Sequence, residues 1–455
     1  MTSSSELPAP PFMERVLRPF QRFVATEAAS GVVLLACTAV ALTLANSPWA
    51  ATYHHVWEIP FTIGMPGFGK TMSVHHWVND GLMAVFFFLV GLEIKREVLV
   101  GDLSTRRSAT LPVAAALGGM LVPAALYVLV NRGGAGGAGW SVPMATDIAF
   151  ALGILALLGN RAPSGLRVFL AALAIADDLG AVVVIALFFT ETLDFAALGG
   201  AAVVLAMLAA LNAAGARRPF TYALLGIVLW LFVLASGIHA TIAGVLLALT
   251  VPARTRISED VFLARAEESL AEFRASDEPG TTVLTNRGHQ EALQALESAA
   301  DAAQAPLQRM EHALHGIVAF VIMPVFALAN AGVPFAGSAG AASRSPIAWG
   351  ILIGLVLGKP IGIVLASYLA VRARAADLPA NVGWRHIHGA GWLGGIGFTM
   401  SLFIAGLAFQ DPAQLEIAKL GVLFASTCAG IVGYVLLRRL SAIDAIVPDD
   451  AARAS

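Results

Sequence analysis

Gly165–Thr190 reads GLRVFLAALAIADDLGAVVVIALFFT, an apolar run long enough to cross a bilayer, with two adjacent carboxylates, Asp177 and Asp178, at its centre. A carboxylate at bilayer depth costs about 2.5–3.5 kcal/mol on insertion scales, so two neighbours do not persist in a lipid-facing wall. The pair therefore faces a watery cavity, as a cation or proton site does. Consecutive helical residues diverge by about 100°, so one acid faces the cavity and the other lines its wall.

Composition supports a polytopic membrane protein. The 455 residues are 58% hydrophobic and only 13% charged, about half the charged share of a soluble domain. A net charge of −2 speaks against a nucleic-acid binder, which is strongly basic. Cys37 and Cys428 lie in apolar runs and read as small buried hydrophobes, with no disulfide framework or thiolate metal site. Residues 1–28 are polar, with Glu14, Arg15, Arg18 and Arg22, and form a cytoplasmic lead-in without the pattern of a cleavable signal.

About twelve apolar runs near bilayer length follow, at 29–48, 80–99, 109–130, 142–158, 166–190, 196–213, 219–235, 238–252, 314–334, 346–371, 389–409 and 416–437. Ser236-Gly237 supplies the tight turn inside 219–252. With an even count and the N-terminus inside, cytoplasmic loops carry Arg106, Arg107, Arg161, Arg217, Arg218, Arg254, Arg256, Arg372, Arg374 and Arg385, and the 438–455 tail carries Arg438 and Arg439. Outer segments hold little beyond Lys70, Arg132, Arg344 and Lys419, which is the positive-inside pattern. The expected fold is an all-α polytopic membrane protein whose transmembrane domain spans 29–437.

Three segments lie outside the membrane runs. Residues 49–78 contain EIPFTIGMPGFGKTMSV, an external β-hairpin turning at Pro66-Gly67. Residues 254–312 form a long, partly helical cytoplasmic loop. Residues 133–139 (GGAGGAG) read as a flexible connector.

Two spans are interrupted. Pro143-Met144-Ala145-Thr146-Asp147 breaks the first, and GAGWLGGIGFTMSLF at 389–403 breaks the second around Gly394, Gly395, Gly397 and Thr399. Interruptions at corresponding places in two halves mark a transporter's binding site. Each is the middle of a three-span group, 109–190 and 346–437. Asp147 is placed to neutralise half-helix N-termini and a cation to neutralise C-termini. Lys359, in LVLGKPIGIVLASYL, is the lysine deepest inside a span; structural pairing, snorkelling and proton carriage look alike here. Coupled carboxylates resist simultaneous ionisation, and hard cations prefer oxygen ligands, which Thr146 and Asp147 add to. Protons and a cation then compete for one site.

SVPMATDIAFALGIL, LAIADDLGAVVVIALF, LGKPIG and GGIGFTMSLFIAGLAF together resemble the NhaA-type sodium/proton antiporters. So do WVNDGLMAVFFFLVGLEIKREVLVG and MEHALHGIVAFVIMPVFALANAG, and the likeness runs from about residue 15 to 440. The resemblance implies inverted-topology repeats and two discontinuous crossing helices. It implies Na+ at Asp178 and Asp177, with Asp178 the direct ligand, Thr146 and Asp147 in the first broken helix, Pro143, Gly395, Gly397 and Thr399 at the breaks, and Lys359 paired with an aspartate. It also implies a pH-responsive cluster of Glu93, Arg96, Glu97, Glu311, His312 and His315, with His239 and Asp80 on family positions. The implied activity is electrogenic, pH-regulated exchange of external protons for cytoplasmic Na+ or Li+, with no cofactor and no nucleic acid, in a bacterial inner membrane with both termini cytoplasmic. A homodimer through the 49–78 hairpin is implied as well. The loop carrying DEPGTTVLTNRGHQ (277–290) departs from the family pattern.

Snorkelling and topology also account for charges at 93–97, and His239 also reads as a satisfied buried histidine. His312 and His315 share a face but lack further ligands for a metal. His54, His55, His75 and His76 flank the hairpin and read as interface residues. Sodium-coupled solute uptake is the runner-up function. An intramembrane aspartic protease lacks its GxGD and PAL motifs, and an ion channel lacks a carbonyl filter or acidic ring.

Overall fold

The computed structural model describes residues 27–63, 70–101, 103–190, 193–277, 281–336 and 338–444. Most of the N-terminal lead-in, the Pro66-Gly67 turn, the Glu278–Gly280 part of the long loop and the end of the tail therefore lie outside the described residues.

The chain opens with α1 (Glu27–Ala45) and α2 (Ala50–Glu58), then β1 (Pro60–Ile63) and β2 (Lys70–Ser73). The strands are antiparallel with Pro60 opposite Ser73 and Ile63 opposite Lys70, so the expected hairpin exists but is preceded by a helix within 49–78. A short turn and a π-helical stretch (Trp77–Leu82) lead into α3 (Met83–Leu99), followed by α4 (Arg106–Val130). A 3₁₀ helix covers Ala135–Met144 and α5 covers Ile148–Leu157. The 133–139 stretch is thus not a flexible connector throughout: from Ala135 its glycines enter a helix that buries Gly136 and Gly139 against Asn131, Tyr127 and Phe409.

Next come α6 (Ser164–Phe188), α7 (Phe195–Ala213), α8 (Pro219–Ala235) and α9 (Ile242–Thr250). The long polar loop folds into α10 (Glu259–Ala275) and α11 (Arg287–Ala303). Then α12 (Pro306–Ile317) runs through a π stretch (Val318–Ile322) into α13 (Met323–Asn330), with short α14 (Ser338–Arg344) after it. The chain ends with α15 (Pro346–Ile353), a π stretch (Gly354–Gly358), α16 (Lys359–Arg372), α17 (Trp384–Gly394), α18 (Phe398–Ala408) and α19 (Pro412–Asp444).

Among the described residues six helical runs are long and apolar enough to cross a membrane, or up to nine if each of three bent pairs is one span. The nine residues of α9 rise only about 14 Å, at about 1.5 Å each, against a hydrocarbon core of about 30 Å. Large apolar side chains stay exposed along these helices, among them Phe188, Val203, Phe220, Ile227 and Ile431. Patches of that kind are rare on soluble monomers and suit a lipid surround. Cys37 and Cys428 are half-buried rather than fully enclosed, and both are free thiols.

Two compact units result. One takes the chain up to Met83, then from 102 to Phe189, and from Ala319 onward; the other takes Ala84–Gly101 and Thr190–Val318. The second unit has a core of Phe88 and Leu92 from α3, Val204 and Leu208 from α7, Tyr222 and Leu229 from α8, Leu247 from α9, and Leu307 and Met310 from α12. In the first unit, α4 and α16 lie backbone to backbone. A Cβ on Gly118 would overlap the Gly362 carbonyl and come within 2.5 Å of Ala366 Cβ, and a Cβ on Gly362 would meet the Gly118 carbonyl. Glycine at both positions is what permits this approach, which brings Lys359 against α4.

Candidate functional site

The site in the first unit is built where two helices stop and restart. Pro143 closes the 3₁₀ helix, and Ala145 turns extended (ψ 148°), so the chain breaks before α5 with a bend of 42°. On the other side α17 ends at Gly394 and α18 starts at Phe398, with a bend of 46°. The breaks cross. Asp147 N–H donates to Ile396 C=O at 2.6 Å, and the Thr146 hydroxyl donates to Gly394 C=O at 2.8 Å.

Asp147 satisfies two helix starts with one carboxylate. Its Oδ1 accepts the Phe150 N–H at 3.1 Å, which caps α5. Its Oδ2 accepts the Thr399 N–H at 3.1 Å and the Thr399 hydroxyl, in the first turn of α18. Unsatisfied N–H groups and positive dipole ends converge at such a crossing, and a negative charge there offsets both. The Ser426 hydroxyl accepts the Phe398 N–H at 3.0 Å, and Ser401 Oγ donates to Val142 C=O at 2.7 Å. Neither serine is apparent from sequence, since a lone serine in an apolar run carries no distinguishing pattern.

The cation expected near these helix ends is Lys359. Its Nζ donates to Asp177 Oδ2 at 2.7 Å and to Thr146 Oγ1 at 2.8 Å. Lys359 and Asp177 have side-chain exposures of 0% and 1%, so they form a fully enclosed ion pair. The lysine stem runs beside Gly119, where a Cβ would lie 3.6 Å from Cδ. The π stretch Gly354–Gly358 ends immediately before Lys359; π turns of this sort are frequent at functional sites.

Asp178 is buried on the same helix. Asp177 Oδ1 is enclosed and accepts no hydrogen bond among the described residues. A buried carboxylate oxygen without a donor is costly unless a proton or cation completes it. The structure thus joins Asp177, Lys359 and Thr146 directly, and Asp147, Thr399 and the 394–397 break through Thr146 and the backbone. Gly397 packs under Ser401, a Cβ there lying 3.0 Å from Ser401 Cβ. Gly395 packs on Leu355 C=O and 3.2 Å from Ala429 Cβ.

The second expected cluster belongs to the other unit. Arg96 bonds Glu97 at 2.8 Å and also pairs with Glu311. His315 Nδ1 lies 4.0 Å from Glu93, and His312 is exposed one turn earlier. His239 is half-buried in the turn between α8 and α9, with Thr241 Oγ1 3.3 Å from its Nδ1. Lys95, unassigned from sequence, donates to Leu249 and Val251 carbonyls at 2.7 and 2.5 Å and caps the end of α9. Among the described residues no group of three or more His, Cys, Asp or Glu side chains forms a metal cage.

Comparison with known proteins follows the same residues. The family model described as Na+/H+ antiporter 1 matches residues 21–437. The chain is 50% identical over 432 residues to the Na+/H+ antiporter NhaA of Oleidesulfovibrio alaskensis, covering 95% of this chain and 96% of that one. It is 49% identical over 440 residues to the NhaA of Koribacter versatilis (96% and 94%) and 50% identical over 435 residues to that of Acidithiobacillus ferrooxidans (95% and 100%). On that match, which spans both broken helices and the Asp177–Lys359 pair, the chain belongs to the Na+/H+ antiporter 1 family.

Proposed function

We propose that the protein exchanges external protons for cytoplasmic Na+ or Li+ across a bacterial inner membrane, serving sodium extrusion and cytoplasmic pH homeostasis. The observation that carries this reading is the enclosed Asp177–Lys359 pair beside Asp178, with one carboxylate oxygen open to a further ligand. Na+ takes carboxylate and hydroxyl oxygens, so Asp178, Asp177 and Thr146 form its site. A proton on the same carboxylates excludes Na+, and Na+ excludes the proton. When Na+ sits at Asp177, Lys359 gives up that partner and keeps only its bond to the Thr146 hydroxyl. Two carboxylates, Asp177 and Asp178, take up two protons where the site holds one Na+, and that difference in charge makes exchange electrogenic.

Asp147 and Thr399 hold the two half-helices in register, so that their ends shift together when the site changes sides. The three-element groups 109–190 and 346–437, each with its broken helix in the middle, serve as inverted repeats in a fold of about twelve spans. Both termini lie in the cytoplasm. Arg96, Glu97, Glu311, Glu93, His312, His315 and His239 set the pH response, and the hairpin pairs two copies by strand addition.

The test uses everted membrane vesicles from cells lacking other antiporters, with a respiration-driven pH gradient reported by a fluorescent amine. Dequenching by NaCl and LiCl but not KCl, rising with pH between 6.5 and 8.5, is expected. No response to any cation, with the protein confirmed in the membrane, rejects the exchanger.

A further inference from the structure

A closed ring of hydrogen bonds joins the foot of the hairpin to α13 and shares no residue with the Asp177–Lys359 site. His75 Nε2 meets Asn330 Oδ1 at 3.2 Å. Asn330 Nδ2 donates to Asn79 Oδ1 at 2.9 Å, and Asn79 Nδ2 returns to the edge of the imidazole, 3.2 Å from both Nδ1 and Nε2, of which only the unprotonated nitrogen accepts. With its proton on Nε2, His75 lets each of the three side chains donate once and accept once around the ring. Asn330 spends its second amide hydrogen on the Phe326 carbonyl at 3.1 Å.

The ring sits where the hairpin stem is tied down. Val74 N–H donates to Ile59 C=O at 3.0 Å, Trp77 Nε1 to Phe61 C=O at 2.9 Å, and Tyr53 Oη to Leu328 C=O at 2.5 Å. One turn from Asn330, Phe326 meets Phe403 of α18 edge-on at 6.2 Å. Helix α18 is the one whose first turn is held by Asp147.

We propose that the His75–Asn79–Asn330 ring is an acid-released clasp between the hairpin stem and α13. A second proton on the imidazole, at Nδ1, turns the acceptor for the Asn79 amide into a donor facing a donor. The ring cannot close around that ion.

The surroundings oppose the proton too. His75 is pushed down to about 4, chiefly by burial, then by the charge of Lys419 on α19 and by neighbouring His76, with the Asn330 bond working the other way. Glu416, which pairs electrostatically with Lys419, is itself engaged by Ser338 Oγ at 2.8 Å. Asp80 follows Asn79 and is half-buried, while His54, His55 and Glu58 on α2 and Lys70 on β2 are exposed. Because the closed state holds His75 below its ordinary 6.5, the clasp is at full strength above that pH and weakens as pH falls towards about 4. The effect on exchange rests on the antiport reading above; the opening itself does not.

The test is hydrogen–deuterium exchange of the full-length protein in lipid nanodiscs at pH 7, 5.5 and 4.5, corrected for intrinsic rates. Segments 74–82 and 323–333 should lose at least about tenfold of their protection between pH 7 and 4.5. H75Q, which keeps an amide in the ring but does not titrate, should show no such loss. Lys419→Met removes one opponent of protonation and should show a smaller loss than wild type, which keeps the proposal testable if H75Q does not fold. Equal pH dependence in wild type and whichever variants fold overturns the clasp. In proteoliposomes with the hairpin side acidified, wild-type exchange should fall more steeply than that of H75Q. Absence of exchange in both overturns the antiport reading and leaves the protection result standing.

Discussion

Lys359 Nζ lies 2.7 Å from Asp177 Oδ2 with both side chains shut away from solvent. A buried pair in this state stabilises less than its Coulomb attraction suggests, because both ions have left water. Removing one partner is the severe change. Lys359→Met should destabilise the protein by about 3–5 kcal/mol, since it strands a carboxylate in the core. Lys359→Met with Asp177→Asn should recover much of that loss while exchange stays absent. Thermal unfolding of the two single variants and the double in detergent checks the cycle; additive losses would contradict a direct pair.

Asp147 should separate stability from transport. Asp147→Asn keeps acceptor oxygen for one helix start but removes the charge that faces two positive dipole ends. Each lost cap costs about 1 kcal/mol, so the fold should survive with a modest drop in melting temperature. Exchange in everted vesicles should fall by more than tenfold, about 1.4 kcal/mol or more on the transport barrier. Near-normal exchange at every pH would remove Asp147 from the account.

Ser426 should matter without touching the ion. Ser426→Ala leaves the buried Phe398 N–H without an acceptor, at a cost of about 1–3 kcal/mol. Melting should fall, and cation preference among Na+, Li+ and K+ should not change. A shifted preference would make Ser426 part of the cation site and not only the acceptor for the start of α18.

The contact between α4 and α16 leaves no room for a methyl group. Gly362→Ala should cost about 1–3 kcal/mol through overpacking, and Gly406→Ala, where a Cβ meets nothing within 4 Å, should be tolerated. Melting curves of the two variants by fluorescence-detected chromatography give the comparison. Equal stability would mean the helices separate more easily than the carbonyl contacts indicate.

Much of the candidate site, as a set of residues that the fold brings together, was readable from residues alone, for identifiable reasons. Asp177, Asp178 and Lys359 stand out because ionisable groups are so costly in apolar runs. Pro143 and the glycines at 394–397 stand out because they disfavour a continuous helix. Other features leave no such mark. The π stretches at Trp77–Leu82, Val318–Ile322 and Gly354–Gly358 change only hydrogen-bond register, to which local composition is blind. A glycine-rich run reads as flexible until packing decides otherwise, and from Ala135 it becomes 3₁₀ helix around Tyr127, whose hydroxyl bonds the Gly136 carbonyl at 2.7 Å. The His75–Asn330 contact joins residues 255 apart, and Ser426 serves a helix start 28 residues away. Pairings of that range are set by the fold and cannot be seen in a local window.

Asp178 is the residue on which the exchange account turns. The deciding measurement uses purified wild type and Asp178→Asn in proteoliposomes with a pH-sensitive dye inside, challenged with a Na+ jump after both have been shown to fold by their melting curves. The account predicts Na+-driven proton movement in wild type and none in Asp178→Asn. Equal Na+-driven proton movement in the two would contradict it, and would place the ion somewhere other than the Asp177–Asp178 carboxylates.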